Sequence, residues 1–138
     1  MIEGRCACGD VTVSAARLPD YLNRCNCTLC RRTGGMWGYY APDEVTITGE
    51  TRRFVRGDLA KACLATLFCP NCGNTVAWVS TEPGYDRMGV NMRLFEPGLL
   101  TGIETRFPDG LSWTDGDDDS GEARYYAPPS PYQPDLAP

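Results

Sequence analysis

Apolar and polar positions alternate with a period of two through much of the chain. Val11 and Val13 share one face of "DVTVSA", Val76 and Trp78 one face of "TVAWVS", and Val90, Met92 and Leu94 one face of "GVNMRLF". "CLATLF" reads the same way, as do "MWGYYA", "VTITG" and "TRRFVR", which are bounded by Gly, Pro or Asp. Successive strand side chains point to opposite faces, so such runs, broken every 8 to 12 residues or about that, predict antiparallel strands. No stretch carries a long helical stripe, and the one short helix is expected around Cys27 to Thr33. The expected fold class is mainly β.

The pattern stops near the end of the chain. From "TDGDDDSG" onward the sequence turns acidic and then proline-rich, in "APPSPYQPDLAP". This divides it into a β domain over residues 1–114 and a tail over 115–138 with at most local order. Tyr125, Tyr126 and Tyr132 give the tail a means of lying on the core or on a partner.

At 138 residues and 42% apolar content the chain has the material for one modest core, which a metal or disulfides would help to hold. Eight cysteines fit that need. The opening "MIEGRCACGD" lacks the apolar centre of a secretory signal, and "ACLATLF" is too short to span a bilayer. A cytoplasmic setting is expected. Thiols stay reduced there, so clustered cysteines point to metal rather than disulfides. A net charge of -5 disfavours nucleic acid and anionic membrane as partners. The chain has no histidine, which excludes Ser-His-Asp and Cys-His catalysis and any His-ligated metal.

Seven cysteines form three clusters: Cys6 and Cys8, then Cys25, Cys27 and Cys30, then Cys69 and Cys72 in "CPNCG". The last is a zinc-knuckle turn, where two intervening residues let both sulfurs reach one ion and the glycine turns backbone N–H groups toward them. Soft ligands of this kind favour Zn²⁺ or an iron–sulfur cluster, and zinc fits best. Two pairs can close one tetrahedron at Cys6, Cys8, Cys69 and Cys72. Cys25, Cys27 and Cys30 are left as a three-ligand site, and an open fourth position is how catalytic zinc sites are built. The alternative is a closed, structural second site completed by Cys63. Otherwise Cys63 is expected to be a small buried apolar residue.

The order of "CACGDV", "CNCTLCRRTGG" and "FCPNCGNTVAW" resembles the glutathione-dependent formaldehyde-activating enzyme family, which includes centromere protein V. "GVNMRLF" and "FPDGLSWTDG" fit more loosely, and the resemblance covers roughly residues 4 to 116. It implies small antiparallel sheets in a tent-like arrangement around two Zn²⁺ sites. It implies a structural zinc on Cys6, Cys8, Cys69 and Cys72 and an open, catalytic zinc on Cys25, Cys27 and Cys30. The implied activity is that of a carbon–sulfur lyase or S-hydroxymethylglutathione synthase. Asn26 stands where the family usually carries a histidine that is not a ligand.

A zinc ringed by three thiolates is a weak generator of hydroxide but a good partner for an exogenous thiolate. The expected substrate is therefore a small thiol adduct such as S-hydroxymethylglutathione. Arg31 and Arg32 are candidates to hold its carboxylates, and Asn91 is either a donor to substrate or simply a polar residue at a β edge. Gly34 and Gly35 suggest a turn or a close approach to the metal. Trp37, Tyr39 and Tyr40 are core residues or pocket walls. The competing reading is a non-enzymatic, zinc-stabilised protein-interaction module. A weaker one is DNA or microtubule association, against which the acidic balance stands. The sequence leaves the oligomeric state open.

Overall fold

The computed structural model describes residues 1–57, 63–112 and 124–134. Strands β1 (Ile2–Arg5) and β2 (Thr12–Ala15) form a hairpin, and β3 (Leu22–Asn23) leads to a short α-helix, α1 (Thr28–Thr33). β4 (Trp37–Tyr40), β5 (Val45–Thr48), β6 (Arg52–Val55), β7 (Leu64–Phe68), β8 (Thr75–Ser80) and β9 (Met88–Asn91) follow. β10 (Glu104–Pro108) and β11 (Tyr125–Pro131) complete the described strands.

These strands make two sheets. The smaller has the order β1-β2-β5, and the larger runs β11-β10-β3-β4-β9-β8-β7-β6. Every pair is antiparallel except β10 with β3, where Thr105 faces Leu22 in a parallel register. The fold is thus mainly β. The core lies where Val11, Val13 and Ala15 from the small sheet meet Leu22, Val76, Val90 and Met92, all fully buried. The period-two reading of β2 therefore holds at each inward position. In the larger sheet Trp78 lies across from Gly89, and a side chain at Gly89 would collide with the indole.

Three expectations are corrected. The strand read through "GVNMRLF" ends at Asn91, and Met92–Leu94 turn into a 3-10 helix. The Asn91 side chain accepts from the Arg93 backbone N–H at 3.2 Å, offering the backbone an alternative to the ladder. Cys63 is exposed rather than buried, since it precedes the first residue of β7. Residues 124–134, counted by composition with the tail, add β11 to the edge of the large sheet, and Tyr132 packs against the core. The acidic stretch at 115–122 lies outside the described residues.

Candidate metal centres

The first centre joins two tight turns. After β1, the Cys6 backbone N–H donates to Val11 and Gly9 to Cys6. Between β7 and β8, Cys69 donates to Asn74 and Gly73 to Cys69. Gly9 and Gly73 adopt left-handed φ values of 84° and 75°, which glycine reaches without strain. The Asn74 side chain accepts from the Ala7 N–H at 3.2 Å, tying one turn to the other. This brings Cys6, Cys8, Cys69 and Cys72 together, with all four sulfurs within 4.8 Å of one another. The Cys6–Cys8 and Cys8–Cys69 sulfur separations are both 3.6 Å. A tetrahedral zinc with bonds of about 2.3 Å needs about 3.8 Å between sulfurs, so the donor set fits that ion. Backbone N–H groups of Val11 and Asp10 point at Cys6 and Cys8. The Asn74 and Cys8 N–H groups bring the Cys72 thiol down to about 6, which favours its thiolate.

The second centre is built around α1. Cys25 follows β3, Cys27 caps the helix and Cys30 sits inside it, and their sulfurs also lie within 4.8 Å. Each sulfur receives an N–H. Cys27 N donates to Cys25 Sγ at 3.4 Å, Cys30 N to Cys27 Sγ at 3.3 Å, and Trp37 Nε1 to Cys30 Sγ at 3.3 Å. Hydrogen bonds from the Cys25 and Cys30 thiols, helped by the charge on Arg56, hold Cys27 far below the usual thiol range. Cys25 and Cys27 together push Cys30 far above it. Three thiols this close cannot all ionise without a cation, and a soft divalent ion removes that conflict.

Cys63 is not among the residues that converge here, so the closed alternative for the second centre is not assembled. Asn26 holds its surroundings together. Its Nδ2 donates to Asp109 at 2.8 Å, and its Oδ1 accepts from the Leu111 N–H at 3.0 Å. Those bonds draw the 109–111 turn over the cluster. A side chain at Gly110 would stand 2.5 Å from the Cys25 sulfur and 2.8 Å from Cys27 Cβ.

The other expected site residues divide. Arg31 is exposed and donates through Nε to the Asn26 carbonyl at 3.0 Å. Arg32 borders a cavity of about 590 Å³ with Leu29, Phe54, Arg56 and Phe68. Asn91 is corrected: it lies on β9, between β4 and β8, and is 2% exposed rather than at an edge. Its amide donates to the Thr75 carbonyl at 2.8 Å and accepts from Met36 N at 3.3 Å, so it organises backbone instead of facing a ligand. Gly34 caps α1 with a φ of 68°, a plain turn. Gly35 lies under the Trp37 ring, where a side chain would collide with it. Trp37 is both core and site, buried yet bonded to Cys30. Tyr40 is core.

Tyr39 lines a cavity of about 290 Å³ on the β3 side, with Arg87, Arg106 and Arg124 among its other walls. Sequence reading did not find these arginines. They are scattered over three segments, and only the sheet order brings them together. Gly110 and Asp109 had one signal, the segment "FPDGLSW".

The model of a family described as "Glutathione-dependent formaldehyde-activating enzyme" matches residues 1–108. A solved structure of a Rhodobacter sphaeroides protein superposes with a TM-score of 0.57 at 22% identity, covering 69% of this chain and 88% of that one. A DNA gyrase inhibitor, YacG, from Sodalis glossinidius is 32% identical over 62 residues, which are 45% of this chain and 94% of that protein.

Proposed function

Because the chain belongs to the glutathione-dependent formaldehyde-activating enzyme family, we propose that it is a zinc-dependent carbon–sulfur lyase acting on a small thiol adduct such as S-hydroxymethylglutathione. The observation that carries this reading is the contrast between two centres, four converging cysteines in one and three in the other among the described residues. Cys6, Cys8, Cys69 and Cys72 would hold a closed, structural ion. Cys25, Cys27 and Cys30 would hold one with a position left for substrate. When bound there, zinc would keep an incoming thiol ionised at neutral pH and stabilise the sulfur as a leaving group.

The chain's own residues supply the rest. N–H donors from Cys27, Cys30 and Trp37 fix the three sulfurs and draw off part of their charge. Arg32, in the last turn of α1, offers a guanidinium to one carboxylate of the thiol, and Arg31 holds the Asn26 loop in place. In the synthetic direction the thiolate sulfur bonds to the formaldehyde carbon. The C=O π pair moves to oxygen, which takes a proton. In the reverse direction the hydroxyl loses its proton as the C–S bond breaks.

A test is metal content with glutathione titrated into the cobalt-loaded protein. Expected are two ions per chain, loss of one in Cys30→Ser, none in Cys63→Ser, and a changed thiolate-to-cobalt absorption on adding glutathione. A spectrum blind to glutathione would leave a second reading, a metal-stabilised module that binds a protein partner. The similarity to a protein named as a gyrase inhibitor favours that alternative.

A further inference from the structure

The cavity on the β3 side has a composition at odds with the chain as a whole. The protein carries a net charge of -5, yet Arg87, Arg106 and Arg124 line one space of about 290 Å³. Glu104 answers Arg106 at 2.7 Å. Arg87 is different. Its guanidinium donates to the Tyr21 hydroxyl at 2.9 Å and lies 4.0 Å from the centre of the Tyr39 ring. Both contacts are uncharged, and among the described residues no carboxylate pairs with it. Tyr39 is itself fixed by Asn23, which donates to its hydroxyl at 2.7 Å, and by the edge of Trp78. Arg87 is thus held in one orientation with donors to spare, the arrangement that favours a bidentate carboxylate.

The cavity adjoins the second metal centre. Asn23, in its wall, pairs with Trp37, whose indole bonds Cys30. Pro108, also in the wall, accepts from the Asn26 N–H between Cys25 and Cys27. The remaining wall, Arg124 and Tyr125, comes from the start of β11. That strand is fastened by Asp109 N to Arg124 O at 2.7 Å and by Tyr126 Oη to Arg24 O at 3.0 Å. It lies beyond the residues matched to the family.

We propose that this cavity binds the carboxylate-bearing end of the thiol that docks at Cys25, Cys27 and Cys30, with Arg87 as its charge partner and Tyr125 as the wall that sets which carboxylates fit. The assignment rests on the thiol reading of the second centre. It makes Arg87 a specificity residue and gives β11 a role in substrate choice.

The experiment uses the cobalt-loaded full chain, with glutathione and its diethyl ester as probes. Calorimetry reads affinity, and the thiolate-to-cobalt band reads docking at the second centre. The parent is expected to bind glutathione about tenfold tighter than the ester. Arg87→Gln is expected to lower that ratio severalfold, with Arg32 still answering the other carboxylate, Arg87→Lys to restore part of it, and Tyr125→Ala to reduce it. Arg87 and Tyr125 are exposed, and two bound ions per chain confirm that each variant is folded. A band that responds to both probes with the parental ratio kept in Arg87→Gln and Tyr125→Ala overturns the cavity assignment alone. A band that responds to neither probe in the parent overturns the reading of the metal centre, and this assignment with it.

Discussion

Asn26 shows how one side chain can shape a site without binding anything in it. Its amide uses both ends, donating to Asp109 and accepting from Leu111 N across more than eighty positions of sequence. The result is a turn that backs Gly110 against Cys25. Asn26→Ala should cost about 1 kcal/mol of stability. It should also make the second ion exchange faster with a chelator while the first is unaffected, which a competition assay with a coloured chelator would resolve. Equal exchange of both ions in parent and variant would show that the turn is held by other means. The cysteines that converge were legible as groups, because C-x-C and C-x-x-C spacings are local. Asn91 was not, because whether a polar strand residue faces a ligand or the backbone depends on what lies beside the strand.

At the level of elements, alternation identified the central strands well. β2 and β8 begin and end within their predicted runs, and α1 lies within the expected span of Cys27 to Thr33. The ends of β9 and the existence of β11 were not readable from it. β11 is Pro128-, Pro129- and Pro131-rich and almost wholly exposed, so it owes its place to β10 rather than to its own pattern. β4 carries a pH dependence of its own. Burial pushes the Tyr40 hydroxyl from its ordinary 10.0 up to about 12. The folded state thus favours the neutral phenol, which donates to the Arg17 carbonyl at 3.1 Å. That stability is fully present below pH 10.0 and is lost as pH rises toward about 12, because the unfolded phenol ionises first. Tyr40→Phe should show a shallower fall in Tm across that interval. Parallel curves for parent and variant would mean that other groups govern the alkaline limb.

For the whole molecule, the two metal centres have different mechanical positions. The first joins the turn after β1 in the small sheet to the β7–β8 turn of the large one, so its ion would clamp two layers. The second sits at the side of the large sheet, between β3, α1 and the turn after β10. Cys72→Ser should therefore lower Tm by far more than Cys30→Ser, although each loses one ion, and calorimetric melts of both beside metal analysis would check it. The reverse order would make the second centre the structural one. The sequence by itself determined the mainly β class, the three cysteine groups, the lack of histidine and the family. Each of these is written in spacing or residue type, and local covalent geometry converts spacing into reach. Only the tertiary structure decided that Cys63 stands apart and that Asn91 is buried inside a sheet. The same is true of Arg87, Arg106 and Tyr125, which meet in one cavity. Those facts depend on strand order, and strand order is set by which faces bury together across the whole chain rather than by any segment alone.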